Sequence, residues 1–443
     1  MIEYDTVAMT ATLEIYRGGD WVPAAILVPA ELTAGHRSAC VFDYALEYAA
    51  KFAGPQTADA AGLSCRFPAD FQQYRLDHWP AFILDILPSG YGRQQWLEQL
   101  QLPDGPSADW PLLTHGTAYP PGNIRVAEAV AAKDTSTLVP TASGDEVAMR
   151  DHPGFERDEV LARGEAFVEY AFQHGIYAAG ASDVQGAAPK LLLAQDHRGA
   201  WHAEGRLEDS DVASHWLVKR PRGDRAADRK VLRNEAAYMR VASQLELHVY
   251  AEPGWEADNL FVPRFDRAVR DGEVERYGME SLCSAAGVAE YGARIENEVL
   301  CETILQYSTQ PADDLVEYIQ RDIVNVVLGN KDNHARNTAL LRLDDGRVEL
   351  APLFDFAPMY LDPEGIARVC RWSTEIEKAG HPNWRQVIAL FAEHEPKLTD
   401  RLRKFAPLLE RLPETMRACD IDDDIIEQRL PAIERHSRQL LEL

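Results

Sequence analysis

Three oxygen-bearing side chains stand at an informative spacing in the second half of the sequence. Asp332 and Asn337 lie five positions apart, and Asp355 follows a predicted hairpin. Transfer of a phosphoryl group from a nucleotide needs an acceptor that orients the attacking hydroxyl and oxygen ligands for Mg²⁺. Protein kinases supply an Asp, an Asn five residues later and a further Asp. The spacing therefore predicts a phosphoryl-transfer centre, against the alternative that an Asp- and Asn-rich loop merely turns the chain.

The neighbouring segments predict how this centre is held. Pro311 and the acidic residues that follow it predict the start of a helix with apolar positions at the helical period. Gly329 predicts its end, immediately before the polar loop. The turn Asp344-Asp345-Gly346 predicts a hairpin that returns the chain to Asp355.

An upstream strand and helix carry a candidate ion pair. In the predicted strand 215–219, alternation places Lys219 beside Leu217 on one face. A lysine among apolar neighbours is costly unless its ammonium meets an anion, and nucleotide phosphates would serve. Glu235, in a predicted helix over 228–245, could pair with Lys219 as a helix Glu does in protein kinases. The alternatives are a lysine that extends to water and a surface glutamate.

Two loops extend the predicted nucleotide site. A loop of small residues that contains Gly186 and Ala187 runs into an apolar strand, and backbone N–H groups without a bulky Cβ can approach phosphate. The alternative is an ordinary hairpin loop. Adenine needs a backbone acceptor and a donor, and in the segment 259–267 Pro263 offers only its carbonyl while Phe265 keeps its N–H.

Composition limits the class of protein. The chain has 443 residues, 46% hydrophobic and 26% charged, which is ordinary for a globular protein of two or three domains. Its net charge of −26 argues against direct nucleic-acid binding and against docking on an anionic membrane. Its six cysteines form no Cys-x-x-Cys pair, and no apolar run approaches about 18 residues. We therefore expect a cytoplasmic protein.

The pattern changes along the chain. Strands and Pro- and Gly-rich loops predict a first region over 1–155, in which 133–154 is polar and predicted to be a linker. A predicted helix over 158–174 then opens a β-rich region that ends near 265. The remainder, 266–443, is predicted to be mostly helical and contains the polar loop.

These motifs together resemble the HipA family of bacterial toxin serine/threonine kinases. The blocks that carry the resemblance run in order from about 180 to 360: Gly186-Ala-Ala-Pro-Lys190, Trp216-Leu-Val-Lys219, Asn234-Glu235, Val262-Pro-Arg-Phe-Asp-Arg267, Glu280-Ser-Leu-Cys283, Leu328-Gly-Asn-Lys-Asp332-Asn-His334-Ala-Arg-Asn337 and Leu350-Ala-Pro-Leu-Phe-Asp355. The resemblance implies an α+β, protein-kinase-like fold. Its parts would be an amino-terminal subdomain (1–155), a small β-rich lobe (156–265) and a helical lobe (266–443).

The resemblance also implies roles for individual residues. Asp332 would be the catalytic base, and His334 would lie beside the phosphates or brace the loop, unless it only hydrogen-bonds the loop backbone. Mg²⁺ would be bound by Asn337 and Asp355, and the phosphates of ATP by Lys219. Expected contacts of the nucleotide extend to the following further positions: Gly186, Ala187, Glu235, Pro263, Phe265 and Asp266.

Partners and regulation follow from the same resemblance. It implies a protein substrate from the translation apparatus, such as an aminoacyl-tRNA synthetase, and a HipB-like antitoxin. The family's autophosphorylated serine is replaced by Asp183, so the adjacent Ser182 is the candidate for autophosphorylation. Two alternatives remain open. First, Asp-x-His-x-x-Asn also resembles the loop of phosphoinositide kinases, so the chain could be a small-molecule or lipid kinase. Second, the chain could be a catalytically silent regulator that binds ATP.

Overall fold

The first region of the chain forms an antiparallel sheet covered by helices. The structure, a computed structural model, describes residues 9–54, 57, 59–133, 136–175 and 188–443. The strands run in the order β4-β3-β2-β1-β5, and a tight turn at Gly18 and Gly19, both at positive φ, joins the first two. The elements of this region are β1 (Ala11–Arg17), β2 (Asp20–Pro29), β3 (Cys40–Tyr44), α1 (Leu46–Phe52), β4 (Gln73–Leu76), α2 (Ile83–Ile86), α3 (Gly90–Leu100), α4 (Asp109–Gly116), β5 (Ile124–Val126) and α5 (Ala127–Ala131).

A second antiparallel sheet forms the small lobe. Its strands run in the order β11-β12-β10-β8-β9, and the long helix α8 packs against it through Leu232 and Ala236. The elements of this lobe are β6 (Leu138–Pro140), β7 (Glu146–Ala148), α6 (Arg157–Ala162), α7 (Glu165–His174), β8 (Lys190–Asp196), β9 (Trp201–Ala203), β10 (Val212–Lys219), α8 (Ala226–Gln244), β11 (Gly254–Glu256) and β12 (Asn259–Pro263).

Two local predictions for this part of the chain are wrong. The segment predicted as a linker, 133–154, contains the hairpin β6–β7, and Val139 and Met149 are buried in the core of the small lobe. Alternation of buried apolar with polar residues was too short here to be recognised. The predicted helix over 158–174 is two helices, because Arg163 takes a left-handed φ of 55° and ends α6.

The third part of the chain is largely helical and begins with short strands. Its elements are β13 (Arg267–Arg270), β14 (Glu273–Arg276), β15 (Gly278–Ser281), α9 (Leu282–Ala285), α10 (Asn297–Tyr307), α11 (Pro311–Leu328), β16 (Ala339–Arg342), β17 (Val348–Leu350), β18 (Glu377–Lys378), β19 (His381–Pro382), α12 (Trp384–Phe391), α13 (Leu398–Glu410), α14 (Leu412–Ala418) and α15 (Asp423–Leu441). The strands β15, β16 and β17 form one sheet. None of the helices in the described ranges is both long and apolar enough to span a membrane.

Two elements connect the three parts. The carboxyl-terminal half of α8 contributes Tyr238 and Val241 to the core of the helical lobe, so this helix spans both lobes. The first region docks on strands β15 and β16. Arg342 of β16 donates to the carbonyls of Gly62 and Leu63. Ser64 Oγ donates to Glu280 of β15 at 2.6 Å. The first region is therefore packed directly against the strand that follows the polar loop.

Candidate active site

The cleft between the small and helical lobes has an apolar part and a charged end. Strands β8, β10 and β12 contribute Leu192, Leu217 and Val262, and Met279 and Leu353 close the opposite side. Four charged side chains stand at the other end: Lys190, Lys219, Glu235 and Asp355. A flat apolar ring would fit the first part and an anionic group the second.

Lys219 is the centre of the charged end. Its side chain is 5% exposed, its Nζ lies 2.6 Å from Glu235 Oε1, and it also donates to Asp355 Oδ1. The first of these contacts is the pairing that the sequence predicts. Because β10 supplies the lysine, α8 the glutamate and the segment after β17 the aspartate, one ammonium group connects both lobes across the cleft.

Mutual pairing shifts the pKa values of this cluster. Burial alone raises the pKa of Asp355, but Lys190 and Lys219 outweigh it and hold that pKa well below its usual range. Burial likewise favours neutral Lys219, yet the carboxylates of Asp355 and Glu235 raise its pKa. Burial raises the pKa of Glu235, which shares its lysine with Asp355. The stable arrangement at neutral pH is therefore an ammonium between carboxylates.

The polar loop begins where α11 ends. Pro311 occupies the first turn of α11, and Gly329 closes the helix at φ 74° with its N–H donating to the carbonyl of Asn325. The loop then folds on itself, since His334 N–H donates to the Asp332 carbonyl at 3.0 Å and Asn337 N–H to the His334 carbonyl at 2.9 Å. These contacts fix the relative positions of the three predicted site residues in the loop.

Asn337 and Asp355 could hold a divalent cation. The Asn337 amide donates to the Asp332 carbonyl at 2.8 Å, while its buried Oδ1 has no hydrogen-bond partner within the described residues. Asn337 and Asp355 line the same small cavity, and Asp355 is held at a left-handed φ of 54°. An amide oxygen with a carboxylate, completed by phosphate and water oxygens, is a donor set that suits Mg²⁺. The residues present therefore fit this ion.

Asp332 and His334 lie at the edge of the same loop. The Asp332 side chain is 28% exposed, which leaves its carboxylate within reach of a molecule that enters from solvent. His334 is buried, with its Nε2 3.8 Å from Asp332 Oδ1. This geometry suits a histidine that braces the loop.

The segment between the lobes contains three predicted site residues. Pro263 ends β12 and Phe265 packs against Phe354 at 5.5 Å between ring centres, and both line the cleft. Asp266 also reaches the cleft, but its carboxylate pairs with Arg264 at 2.6 Å and with Arg267 at 3.1 Å.

Asp266 also accepts from the Gly122 N–H at 2.8 Å, and its pKa is lowered because Arg264 and Arg267 outweigh the effect of burial. Its oxygens are therefore occupied by protein donors, and the geometry assigns it to the junction between the first region and the lobes. The remaining predicted positions, Gly186, Ala187 and the candidate autophosphorylation site Ser182, lie outside the described residues.

Sequence reasoning did not assign Lys190 a site role. Strand pairing places it directly opposite Lys219, and its Nζ lies 3.4 Å from Asp355 Oδ2. The available signal was a lysine that opens an apolar strand after a loop of small residues. A second cation in the charged end doubles the positive charge that faces Asp355.

Buried contacts behind the loop were also missed. Asp322, on α11, accepts from Asn333 at 3.2 Å and from Trp372 at 2.8 Å. Arg336 donates to Asp85 of the first region at 2.6 Å. These contacts join residues 11, 50 and 251 positions apart, so no pattern within a single element indicates them.

Comparison with models of known protein families identifies the family of this chain. Residues 182–418, more than half of its length, match the family model described as the HipA-like C-terminal domain. The chain belongs to the HipA family. The expectation from the sequence motifs is confirmed by this match.

The chain also resembles three other proteins in sequence or in structure. The chain is 32% identical over 142 residues to a protein of Sinorhizobium fredii named "Putative kinase Y4mE"; the alignment covers 30% of this chain and spans about a third (33%) of that relative. A solved structure from Shewanella oneidensis MR-1, of HipA with HipB and operator DNA, aligns with 97% of this chain and 96% of its own at TM-score 0.64 and 19% identity. The kinase CtkA of Helicobacter pylori aligns with 52% of this chain and 89% of its own at 13% identity and TM-score 0.36.

The alignment with Shewanella HipA extends over nearly the whole chain and confirms the α+β, protein-kinase-like fold predicted from the sequence. That structure contains operator DNA together with HipB. The expectation that this HipA-family chain has no contact with nucleic acid, which was drawn from its net charge of −26, is not supported by the match.

Proposed function

We propose that this HipA-family chain is an ATP- and Mg²⁺-dependent kinase that transfers the γ-phosphoryl group of ATP to a serine or threonine hydroxyl of a protein. The observation that carries the proposal is the double pairing of the buried Lys219 with Glu235 and Asp355. A strand lysine, a helix glutamate and an aspartate that follows a hairpin are the groups that protein kinases bring together around nucleotide phosphates.

The nucleotide would lie in the cleft between the lobes. Its base would contact Leu217 and Met279, and the interlobe segment would offer the carbonyl of Pro263 and the N–H of Phe265. The phosphates would displace the carboxylate of Asp355 from part of its contact with Lys219. Lys190, on the facing strand, would add a second cation at the phosphates.

Asn337 and Asp355 would hold Mg²⁺, and Asn337 Oδ1, which has no hydrogen-bond partner among the described residues, would supply one ligand. When bound, the ion would neutralise charge on the phosphate oxygens. The pKa of Asp355 lies below its usual range because of Lys190 and Lys219, so this carboxylate is ionised and ready to coordinate at any physiological pH.

Asp332 would orient the acceptor hydroxyl and take its proton. The hydroxyl oxygen forms the new bond to phosphorus as the bond to the β,γ-bridging oxygen breaks, and ADP leaves with that electron pair. His334, buried against the loop, would hold Asp332 in place. We do not assign Asp266 a role in binding the nucleotide, since Arg264 and Arg267 occupy it.

The biological role would be that of a toxin kinase. We propose a target in the translation apparatus, such as an aminoacyl-tRNA synthetase, and control by a HipB-like antitoxin. The structural relative from Shewanella, solved with HipB and its operator DNA, supports such a partner. Autophosphorylation at Ser182 belongs to the same proposal.

The test is transfer of ³²P from [γ-³²P]ATP to protein by wild type and by Asp332→Asn. We expect labelling of a protein acceptor by wild type and a loss of about 100-fold or more in the variant, since a positioned base contributes about 10²–10⁴-fold. Equal labelling by both proteins would refute the role of Asp332. Labelling only of a sugar, antibiotic or lipid would refute the protein acceptor.

A further inference from the structure

A groove lies beside the polar loop and is lined by Asn330 and Lys331 of that loop. We call it the basic groove. Its volume of about 450 Å³ falls within the range of about 300–1,000 Å³ typical of binding clefts. Its charged and titratable lining residues are Lys331, Arg368, Arg371, Glu377, His381 and Arg429.

Only part of this positive charge is compensated within the protein. The Arg368 side chain is 9% exposed and pairs with Asp322 at 2.5 Å and with Glu377 at 3.0 Å, which accounts for its charge. Arg371 is half exposed, and its Nε lies at 4.0 Å from Glu377. His381 adds no charge at neutral pH, because burial and nearby arginines lower its pKa.

Two further cations of the basic groove, Lys331 and Arg429, form no ion pair with a carboxylate among the described residues. Lys331 is exposed, and none of the described acidic side chains lies within ion-pair distance of it. Arg429 donates to two neutral acceptors, the carbonyls of Val327 at 2.7 Å and Val326 at 2.9 Å. With Arg371, these residues give the groove an excess of positive charge in a chain whose net charge is −26.

The basic groove reaches the predicted catalytic loop. Lys331 lines the groove and is adjacent in the chain to Asp332, so their Cα atoms are about 3.8 Å apart. Asn330, also in the lining, is buried, and its Oδ1 has no hydrogen-bond partner within the described ranges. The groove therefore extends to the residue that directly precedes the predicted catalytic base.

The walls of the basic groove are built from constrained backbone. Gly329 lies at φ 74° against Tyr360 and Arg429 on one side. The hairpin β18–β19 forms another side, and its turn residues Ala379 and Gly380 have φ of 52° and 79°. Positive φ at both turn positions is what a type I′ hairpin turn requires. The groove thus has a defined shape before anything binds.

We propose that the basic groove binds an acidic segment of the protein substrate, next to the hydroxyl that receives the phosphoryl group. This inference rests on the proposed kinase function and adds the charge preference of its acceptor. Carboxylates on the segment would be attracted by Lys331, Arg371 and Arg429, and Arg371, whose side chain is 52% exposed, is the probe of this attraction. A basic segment would be repelled by the same three cations.

The probes are two serine peptides of equal length, whose acceptor is flanked on both sides either by glutamates or by lysines. Steady-state kcat/KM for each gives a preference ratio. We expect wild type to prefer the glutamate peptide about tenfold. Arg371→Glu should reduce this ratio about fivefold, because a loss of about 1 kcal/mol of ion pairing corresponds to that factor. The reduction should come from a higher KM for the glutamate peptide, with little change in kcat. Arg371→Lys, which keeps the charge, should retain the ratio.

Arg403→Glu is the matched control, because Arg403 is a similarly exposed arginine on α13 outside the basic groove. Binding of fluorescent peptides with alanine at the acceptor position, followed by anisotropy, reads the groove independently of catalysis. Equal affinity for both peptides, or an equal loss in Arg371→Glu and Arg403→Glu, would overturn the proposal. Binding of a single-stranded oligonucleotide but not of the glutamate peptide would also overturn it. Peptide binding without phosphate transfer would contradict the kinase function instead.

Discussion

Lys190 and Lys219 occupy directly paired positions on neighbouring antiparallel strands, and both reach the carboxylate of Asp355. Two ammonium groups beside each other would repel unless anions lie between them. In the free protein Asp355 and Glu235 supply the negative charge, and we expect nucleotide phosphates to share that task. The pair therefore leads to a prediction for Lys190, whose role was not expected from the sequence.

Lys190→Ala should weaken ATP binding about tenfold, the value of one charge-assisted hydrogen bond of about 1.4 kcal/mol. Burial raises the pKa of Asp355, and the charge of Lys190, together with Lys219, lowers it. Removal of Lys190 should raise that pKa, so the acid limb of the activity profile should move to higher pH. Isothermal titration with ATP and a pH–rate profile measure the two effects, and Lys190→Arg is the control. An unchanged affinity would contradict the role of Lys190.

The ion pair between Asp85 and Arg336 joins the first region to the predicted catalytic loop at 2.6 Å, and the two side chains are 11% and 2% exposed. Arg336 directly precedes Asn337. Asp85→Ala should therefore lower kcat about 10- to 100-fold with a smaller change in KM for ATP, and lower the free energy of unfolding by about 3–5 kcal/mol, the cost of leaving one member of a buried pair alone.

The matched control for Asp85 is Asp344→Ala, which removes the exposed carboxylate of a 3.5 Å pair with Arg17 in the same interface. It should change stability by less than about 1 kcal/mol and leave kcat unchanged. Steady-state kinetics and urea unfolding of both variants measure these changes in kcat and in the free energy of unfolding. Similar losses in the two would show that the effect is general loosening of the interface.

Gly329 ends the helix that delivers the loop, at φ 74°, and a Cβ there would meet Tyr360 Cδ1 at 2.8 Å and Arg429 Nη1 at 3.0 Å. Gly346 has φ 90° with Ala60 Cβ as its nearest neighbour, at 3.8 Å. Both alanine variants should suffer the backbone strain, but Gly329→Ala should lose about 1–3 kcal/mol more, as overpacking does. Thermal unfolding measures the difference, and equal losses would mean that Tyr360 and Arg429 move aside easily.

His436 should make the fold sensitive to mild acid. Burial lowers its pKa to about 3, and its Nδ1 accepts from Trp384 Nε1 at 2.9 Å. In the unfolded chain a histidine takes up its proton near about 6.5. The stabilisation is therefore present above about pH 6.5 and is lost as the pH falls toward about 3. His436→Gln should flatten the fall in urea midpoint between pH 7.5 and 5.0; an identical fall would contradict this.

Local patterns in the sequence were sufficient for the centre of the site. Helix α11 and its end at Gly329 follow from Pro311 and the helical period, and the return to Asp355 follows from one turn sequence. The pairing of Lys219 with Glu235 was anticipated because strand alternation and helix position each restrict where a side chain points. These features depend on residues within about one element of each other.

Contacts set by register or by docking were not predictable. Lys190 meets Lys219 only through the pairing of β8 with β10, and Asp85 meets Arg336 across 251 positions of sequence. The prediction for Asp266 did not take account of Arg264 and Arg267 beside it, although their proximity in the sequence was visible. The hairpin β6–β7 was missed because each strand has three residues.

The most direct test of the account is a crystal structure of this protein with a non-hydrolysable ATP analogue and Mn²⁺ in place of Mg²⁺, located by its anomalous signal. We expect a Mn²⁺ peak coordinated by Asn337 Oδ1 and the Asp355 carboxylate, with the phosphates against Lys219 and Lys190. The terminal phosphate should face Asp332. A nucleotide bound elsewhere, or a metal that does not touch Asn337 and Asp355, would contradict the assignment of the phosphoryl-transfer centre.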